Sequence, residues 1–382
     1  MTNNEAERPA AEERRSGKGF PALSALRDRI AGSLYGGALG DALGYEVEFE
    51  SWDSIQDRFG RGGIRKPVLH QGKALVSDDT QMTLFTAEGM ALGYFRAAGR
   101  GEEVRTAESI HQAYLCWLQT QGYSVPSRWD GDSRLRKRPD LNHRRAPGNT
   151  CLSALKSGNM GTIEDPINHS KGCGGVMRTA PLGFVRQAKN GRSPFGCALR
   201  CGAEAAAITH GHPLGWLPAG MLSDMVDRCL YEDYGSLREL TEASLAETVR
   251  TFSEYEEIGY FEKLMSRAIS LAAEPAAGEC GIYSVDEPAI RSLGEGWVGE
   301  EALAIAVYAV LRYPGDMEMA LRAAVNHSGD SDSTGAIAGN ILGAYLGAGR
   351  LPEAWVSHLE LGDAVEELTD GMLRIIEDRW HK

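Results

Sequence analysis

"AGSLYGGALGDALGYEVEFE", residues 31–50, carries glycine at positions 32, 36, 40 and 44. A step of four keeps all of them on one face of an α-helix. Each glycine weakens a helix interior by roughly 1 kcal/mol relative to alanine, so a whole face of them requires a compensating gain. Very close approach of a second helix is the gain that a bare glycine face permits. "TGAIAGNILGAYLG", residues 334–347, repeats the device at Gly335, Gly339, Gly343 and Gly347. Both segments are expected to be central helices, packed on one another.

Outward from these two segments the pattern stays helical. Leu23, Leu26, Ile30 and Leu34 form one stripe leading into the first glycine helix. "SIHQAYLCWLQTQG" sets Ile110, Tyr114, Trp117 and Leu118 on one side, and "CALRCGAEAAAITH" and "GEEALAIAVYAVLRY" are rich in helix formers. Alternating runs bounded by turn dipeptides are missing, and so is a repeat of fixed period. The expected fold is all-α, a single domain over residues 23–382, although a length of 382 would allow two or three domains. Residues 1–22 are charged and poor in large apolar groups, which predicts a disordered N-terminal extension.

Apolar residues make up 42% of the chain, enough for a substantial core. With 40 Lys and Arg against 53 Asp and Glu, the net charge of −13 argues against a nucleic-acid backbone as partner. No run of about 20 apolar residues predicts a membrane span, and the N-terminus lacks the apolar middle of a secretory signal. Seven cysteines, scattered and without a CxxC pair, read as reduced thiols of a cytoplasmic protein.

Two further stretches crowd carboxylates and hydroxyls at a helix start. "VSDDTQMTLF", residues 76–85, offers Ser77, Asp78 and Asp79; "HSGDSDSTGA", residues 327–336, offers Asp330, Asp332 and Ser333. Capping accounts for one carboxylate in each, through a backbone N–H bond and the positive field of the helix N-terminus. It does not account for two in both. Brought together, four carboxylates and hydroxyl oxygens make a hard-oxygen cation site.

Four loops add binding groups. "HSKGCGGVMRTAPLG", residues 169–183, holds Ser170, Lys171, Gly172 and Arg178, and its glycines bare backbone N–H groups suited to phosphate, without Walker spacing. "RAPGNTCLSAL", residues 145–155, places Gly148, Asn149 and Thr150 at a helix start with free amide donors. "ITHGHPLG" supplies His210 and His212, and "LGEGWVGEEAL" sets Trp297 in a glycine loop, to cover a core edge or to stack on a base. "SRLRKRPDLNHRR", residues 133–145, is a basic cluster: a solvated loop, or a contact to an acidic partner or anionic ligand.

Taken together, "GGALGDALGYEVEF", "SDDTQMTL", "APGNTC", "GCGGVMRTAPLG", "THGHP", "GWVGEEALA" and "GDSDSTGAIAGNILGAYLG" resemble the ADP-ribosylglycohydrolase family, in its order and spacing, from about Ile30 to Leu346. The resemblance implies a compact helical domain with a binuclear centre of two Mg²⁺ or Mn²⁺ ions. It implies Ser77, Asp78 and Asp79 as one ligand set and Asp330, Asp332 and Ser333 as the other, with Glu48 lying over the metals. It further implies that Gly148, Asn149, Thr150, Ser170, Lys171 and Gly172 hold the diphosphate, that His210 contacts ribose or phosphate, and that Trp297 lies next to the adenosine. The implied reaction is hydrolysis of ADP-ribose from a modified protein side chain. Metal-activated water attacks ribose C1″, and Asp79, Asp332 and Glu48 are the catalytic candidates, Asp79 the favoured base. Arginine is the favoured acceptor; serine-linked and O-acetyl ADP-ribose are the alternatives. A second reading is an immunity protein that blocks an ADP-ribosyltransferase toxin through the N-terminal extension, with or without hydrolysis. A non-catalytic descendant and another metal-dependent phosphohydrolase complete the set.

Overall fold

In the computed structural model, which describes residues 20–186, 193–274 and 286–380, the two glycine stripes meet face to face. A Cβ added to Gly36 would strike the carbonyl oxygen of Gly339, and one added to Gly40 would strike that of Gly335. The same holds for Gly32 against Gly343 and for Gly44 against the carbonyl of Ser331, and the clashes are reciprocal from Gly335, Gly339 and Gly343. As one number rises the other falls, so the helices run antiparallel, backbone on backbone. Every residue from Ile30 to Gly44 and from Ser331 to Ala344 is buried. This pair is the axis of the molecule.

The described helices are α1 (Leu23–Gly44), α2 (Trp52–Phe59), α3 (Asp78–Arg100), α4 (Thr106–Thr120) and α5 (Asn149–Lys156). Then come α6 (Ala198–Ala207), α7 (Pro213–Tyr231), α8 (Leu237–Thr251), α9 (Ile258–Ala273) and α10 (Glu287–Arg291). The last are α11 (Gly299–Arg312), α12 (Met317–Val325), α13 (Ser331–Leu346), α14 (Glu353–Val356) and α15 (Gly362–Trp380). Among the described residues there is no strand, only isolated bridges such as Gly172 with Val298. Around the α1–α13 axis, α7 and α11 pack on α13, and α3 and α15 pack on α1. Ile110, Tyr114, Trp117 and Leu118 are buried on α4, as their spacing requires. One continuous apolar cluster runs from Leu26 to Ile376. No described helix is long and apolar enough to cross a membrane.

The extension expected over residues 1–22 lies outside the described residues up to position 19. Phe20 is described, and its ring meets that of Tyr231 at 5.3 Å. The basic cluster is a loop stapled to its own chain. Arg134 pairs with Glu367, Arg138 with Asp140 and Asp363, and Arg145 with Glu360 at 3.6 Å. Arg136 bonds Gln119, and Lys137 bonds the Gly131 carbonyl. Arg144 lies 5.9 Å from the Tyr123 ring centroid.

Candidate active site

Because α1 and α13 are antiparallel, the end of α1 and the start of α13 share one end of the axis, and the start of α3 joins them through α1. Ser77 caps α3 by accepting from the Asp79 amide at 3.2 Å; Asp330 caps α13 by accepting from the Ser333 amide at 3.3 Å. Capping therefore explains part of each cluster. The remaining carboxylates turn to one buried place. Glu48, just past α1, brings a carboxylate oxygen within 4.8 Å of oxygens of Asp330 and Asp332. The Ser77 hydroxyl is in hydrogen-bonding reach of Asp332, which joins the two sequence clusters.

Asp41, which the sequence reading passed over, ties this assembly to α1. It accepts from the amide of Ser77 at 2.9 Å, from the amide of Thr80 at 3.0 Å and from the Thr80 hydroxyl. It is the one charged residue between Ile30 and Gly44, a signal that a buried glycine helix carries an acid for a purpose. Cys173 was also missed: its thiol donates to Asp330 Oδ2 at 2.6 Å, and a lone cysteine in a glycine loop gives no sequence cue to that contact.

Burial and mutual repulsion govern the charges here. Burial first, then Asp332 and Asp330, pushes Glu48 up to about 11. Burial and Asp332 raise Asp41 to about 7 against the lowering hydrogen bonds from Thr80 and Ser77. Asp78, Asp79 and Asp332 rise well above the usual carboxylate range for the same reasons, desolvation leading and neighbouring carboxylates following. Like charges gathered out of water are costly unless a cation compensates them. Two of the buried oxygens, Glu48 Oε2 and Asp79 Oδ2, have no hydrogen-bond partner. Crowded hard oxygens and orphaned carboxylate atoms, which outnumber the sulfurs of Cys173 and Met177 beside them, fit Mg²⁺ or Mn²⁺.

The loops expected to hold the diphosphate adjoin this cluster. Gly148, at the head of α5, donates its amide to Asp78 Oδ2 at 3.3 Å, and the Asp78 amide bonds the Arg145 carbonyl at 3.0 Å. Thr150 and Ser170 hydroxyls lie 3.1 Å apart, and the Gly172 amide bonds the Ser170 hydroxyl at 3.3 Å. Asn149 is exposed in the first turn of α5. Gly148 to Thr150 and Ser170 to Gly172 therefore form one rim. Four residues sit differently from a simple ligand contact. Lys171 is not a free cation, being paired with the buried Glu300. His210 is buried beneath the rim, its ring against Gly172 and Gly174 and its Nδ1 2.8 Å from the Thr209 hydroxyl. Trp297 stacks on Phe49, centroids 5.3 Å apart and planes 20° from parallel. Arg178 is wholly buried, bonded to Thr209 and the Ala205 carbonyl and set 4.3 Å over the Tyr114 ring. It braces the loop from inside and takes no place on the rim.

A sequence profile described as ADP-ribosylglycohydrolase matches residues 22–382. The chain is 25% identical over 347 residues to the ADP-ribosyl-[dinitrogen reductase] glycohydrolase of Rhodospirillum rubrum, covering 88% of this chain and 92% of that one. It is 23% identical to the ADP-ribosylhydrolase ARH1 of Dictyostelium discoideum, over 90% of this chain and 93% of the relative. A solved structure, titled an ADP-ribosylglycohydrolase-related protein complex, superposes with a TM-score of 0.58 at 22% identity, over 92% of this chain and 99% of that one. The fold is the same in both.

Proposed function

Since the chain belongs to the ADP-ribosylglycohydrolase family, a family of hydrolases acting on ADP-ribosylated proteins, we propose that it removes ADP-ribose from modified arginine side chains with the help of two divalent cations. The observation that carries this reading is the convergence of Asp41, Glu48, Asp78, Asp79, Asp330 and Asp332 on one buried place. Asp78, Asp79, Asp330 and Asp332, with Ser77, Ser333 and Glu48, are the groups that would hold the cations. When bound, divalent cations supply Lewis acidity, polarising oxygen ligands and lowering the pKa of water.

The chain's own residues do the rest. The head of α5 and the Ser170–Gly172 turn orient the diphosphate, fixing ribose C1″ over the carboxylates. The Asp79 oxygen without a hydrogen-bond partner accepts the proton of the attacking water. Water oxygen bonds to C1″ as the bond from C1″ to the acceptor nitrogen breaks; that nitrogen keeps the electron pair and takes the proton that Asp79 accepted. Positive charge building on the ribose is met by the surrounding carboxylates. Acids crowded as these are favour a cationic leaving group such as guanidinium over a neutral hydroxyl.

The test is to incubate the protein and Mg²⁺ with arginine-, serine- and glutamate-linked ADP-ribosyl proteins. Release from arginine is expected. Asp332→Asn and Asp79→Asn should each lose most turnover while keeping the helical circular-dichroism spectrum. Wild-type rates in both variants would remove the carboxylates from the mechanism.

A further inference from the structure

A cleft of about 430 Å³ opens beside the carboxylate cluster, with Tyr45, Glu48, Phe49, Val68, Arg145 and Ala146 in its wall. A volume in that range suits a small ligand or a side chain with the peptide that carries it. None of the rim residues at 148–150 and 170–172 lines it. Glu48 belongs both to the cleft and to the cluster, so an occupant of the cleft reaches the reacting centre by a route that the diphosphate rim leaves open.

The wall of this cleft is built with care. Phe49 and Ala146 hold left-handed backbone, φ 67° and 50°, which side-chain-bearing residues rarely adopt. Such conformations persist where the surroundings fix them, and they cluster at ligand sites. Phe49 is 71% exposed, yet its ring is braced by stacking on Trp297, which arrives from the loop whose carbonyl bonds the Cys173 amide. The cleft's arginine is already matched, Arg145 by Glu360 at 3.6 Å, and the His70 ring meets Glu46 at 2.9 Å. Glu48 keeps an oxygen without a hydrogen-bond partner. What the wall offers is a presented aromatic face beside a carboxyl oxygen left free to accept a hydrogen bond. A planar delocalised cation fits both, because guanidinium stacks on aromatic rings and is weakly hydrated.

The geometry points to a leaving-group subsite: this cleft takes the arginine side chain of the modified protein, its guanidinium stacked on Phe49 in the field of the carboxylate cluster. The assignment rests on the hydrolase reading above and deepens it. Phe49 is then a specificity-determining residue, and Trp297 serves it as a brace, away from the adenosine.

Wild type, Phe49→Ala and Phe49→Tyr are compared as full-length, Mg²⁺-loaded proteins. KM and kcat are measured on an ADP-ribosylarginine peptide, the inhibition constant on agmatine, and the dissociation constant on free ADP-ribose by calorimetry. Phe49→Ala should raise KM and the agmatine constant roughly tenfold, leave ADP-ribose affinity within about twofold, and Phe49→Tyr should restore both. Equal weakening of ADP-ribose by Phe49→Ala would give the cleft to the nucleotide and overturn the assignment. So would wild type that agmatine fails to inhibit, or constants indifferent to the loss of the ring. Wild type that cuts arginine linkages while Phe49 proves idle overturns the cleft alone. Wild type that leaves arginine linkages intact and releases another overturns the acceptor in both readings.

Discussion

Asp41 shows how a single buried carboxyl can hold a turn in place. Its carboxylate takes hydrogen bonds from Ser77 and Thr80, and so aims the Ser77–Asp79 turn at Asp332. Supporting partners of metal ligands typically matter 10–100-fold in affinity. Asp41→Asn should therefore weaken Mn²⁺ binding by about that factor in a calorimetric titration, with the helical spectrum unchanged; unaltered affinity would reduce Asp41 to a packing role. His210 gives a second residue-level expectation. Burial, and the Arg178 charge next, lower it from 6.5 to about 3. The unfolded chain takes a proton near 6.5, the folded one only near 3, so stability present above 6.5 is lost as pH falls through that window. The slope is up to about 1.4 kcal/mol per pH unit. Denaturation midpoints of wild type and His210→Asn should diverge as pH drops from 7 to 5. The acids at the helix starts were legible because carboxylate pairs exceed what a cap needs. His210 was legible as present and not as buried, since a sequence shows no ring orientation.

Among elements, the α1–α13 pair has the least tolerance for added volume. Gly40→Ala sets a methyl against the Gly335 carbonyl and should cost roughly 1–3 kcal/mol or more, and it should weaken cation binding by displacing the start of α13. Gly371, inside α15, has nothing within 4 Å of an added Cβ. Gly371→Ala should stabilise by roughly 0.5–1 kcal/mol. Urea denaturation of the two variants side by side checks the contrast, and equal effects would mean the stripe is not a contact. The stripes were readable because four-residue spacing has one physical use in a long helix. The basic loop was not, because what satisfies it is remote in sequence: Arg134 and Arg138 meet Glu367 and Asp363 on α15. A charge run names its own sign and says nothing of partners that only folding supplies.

For the molecule as a whole, the proposed cation binding would make loading and stability one equilibrium. If the carboxylate cluster binds divalent ions only when folded, a hundredfold excess over the dissociation constant adds about 2.7 kcal/mol. Melting temperature should rise with Mg²⁺ or Mn²⁺ and fall with a chelator, and Asp332→Asn should flatten that response. A melting curve indifferent to both would deny the site. The antiparallel axis also sets a timetable. During translation α1 emerges early and α13 after most of the chain, so at roughly 5–20 residues per second the glycine face of α1 waits tens of seconds for its complement. In that interval the cluster cannot be completed, and a bare, close-fitting helix surface stands open to whatever else in the cell presents small residues. Chaperone occupancy of the nascent chain should therefore be highest before Ser331 is made, and metal loading should be the last event in its maturation.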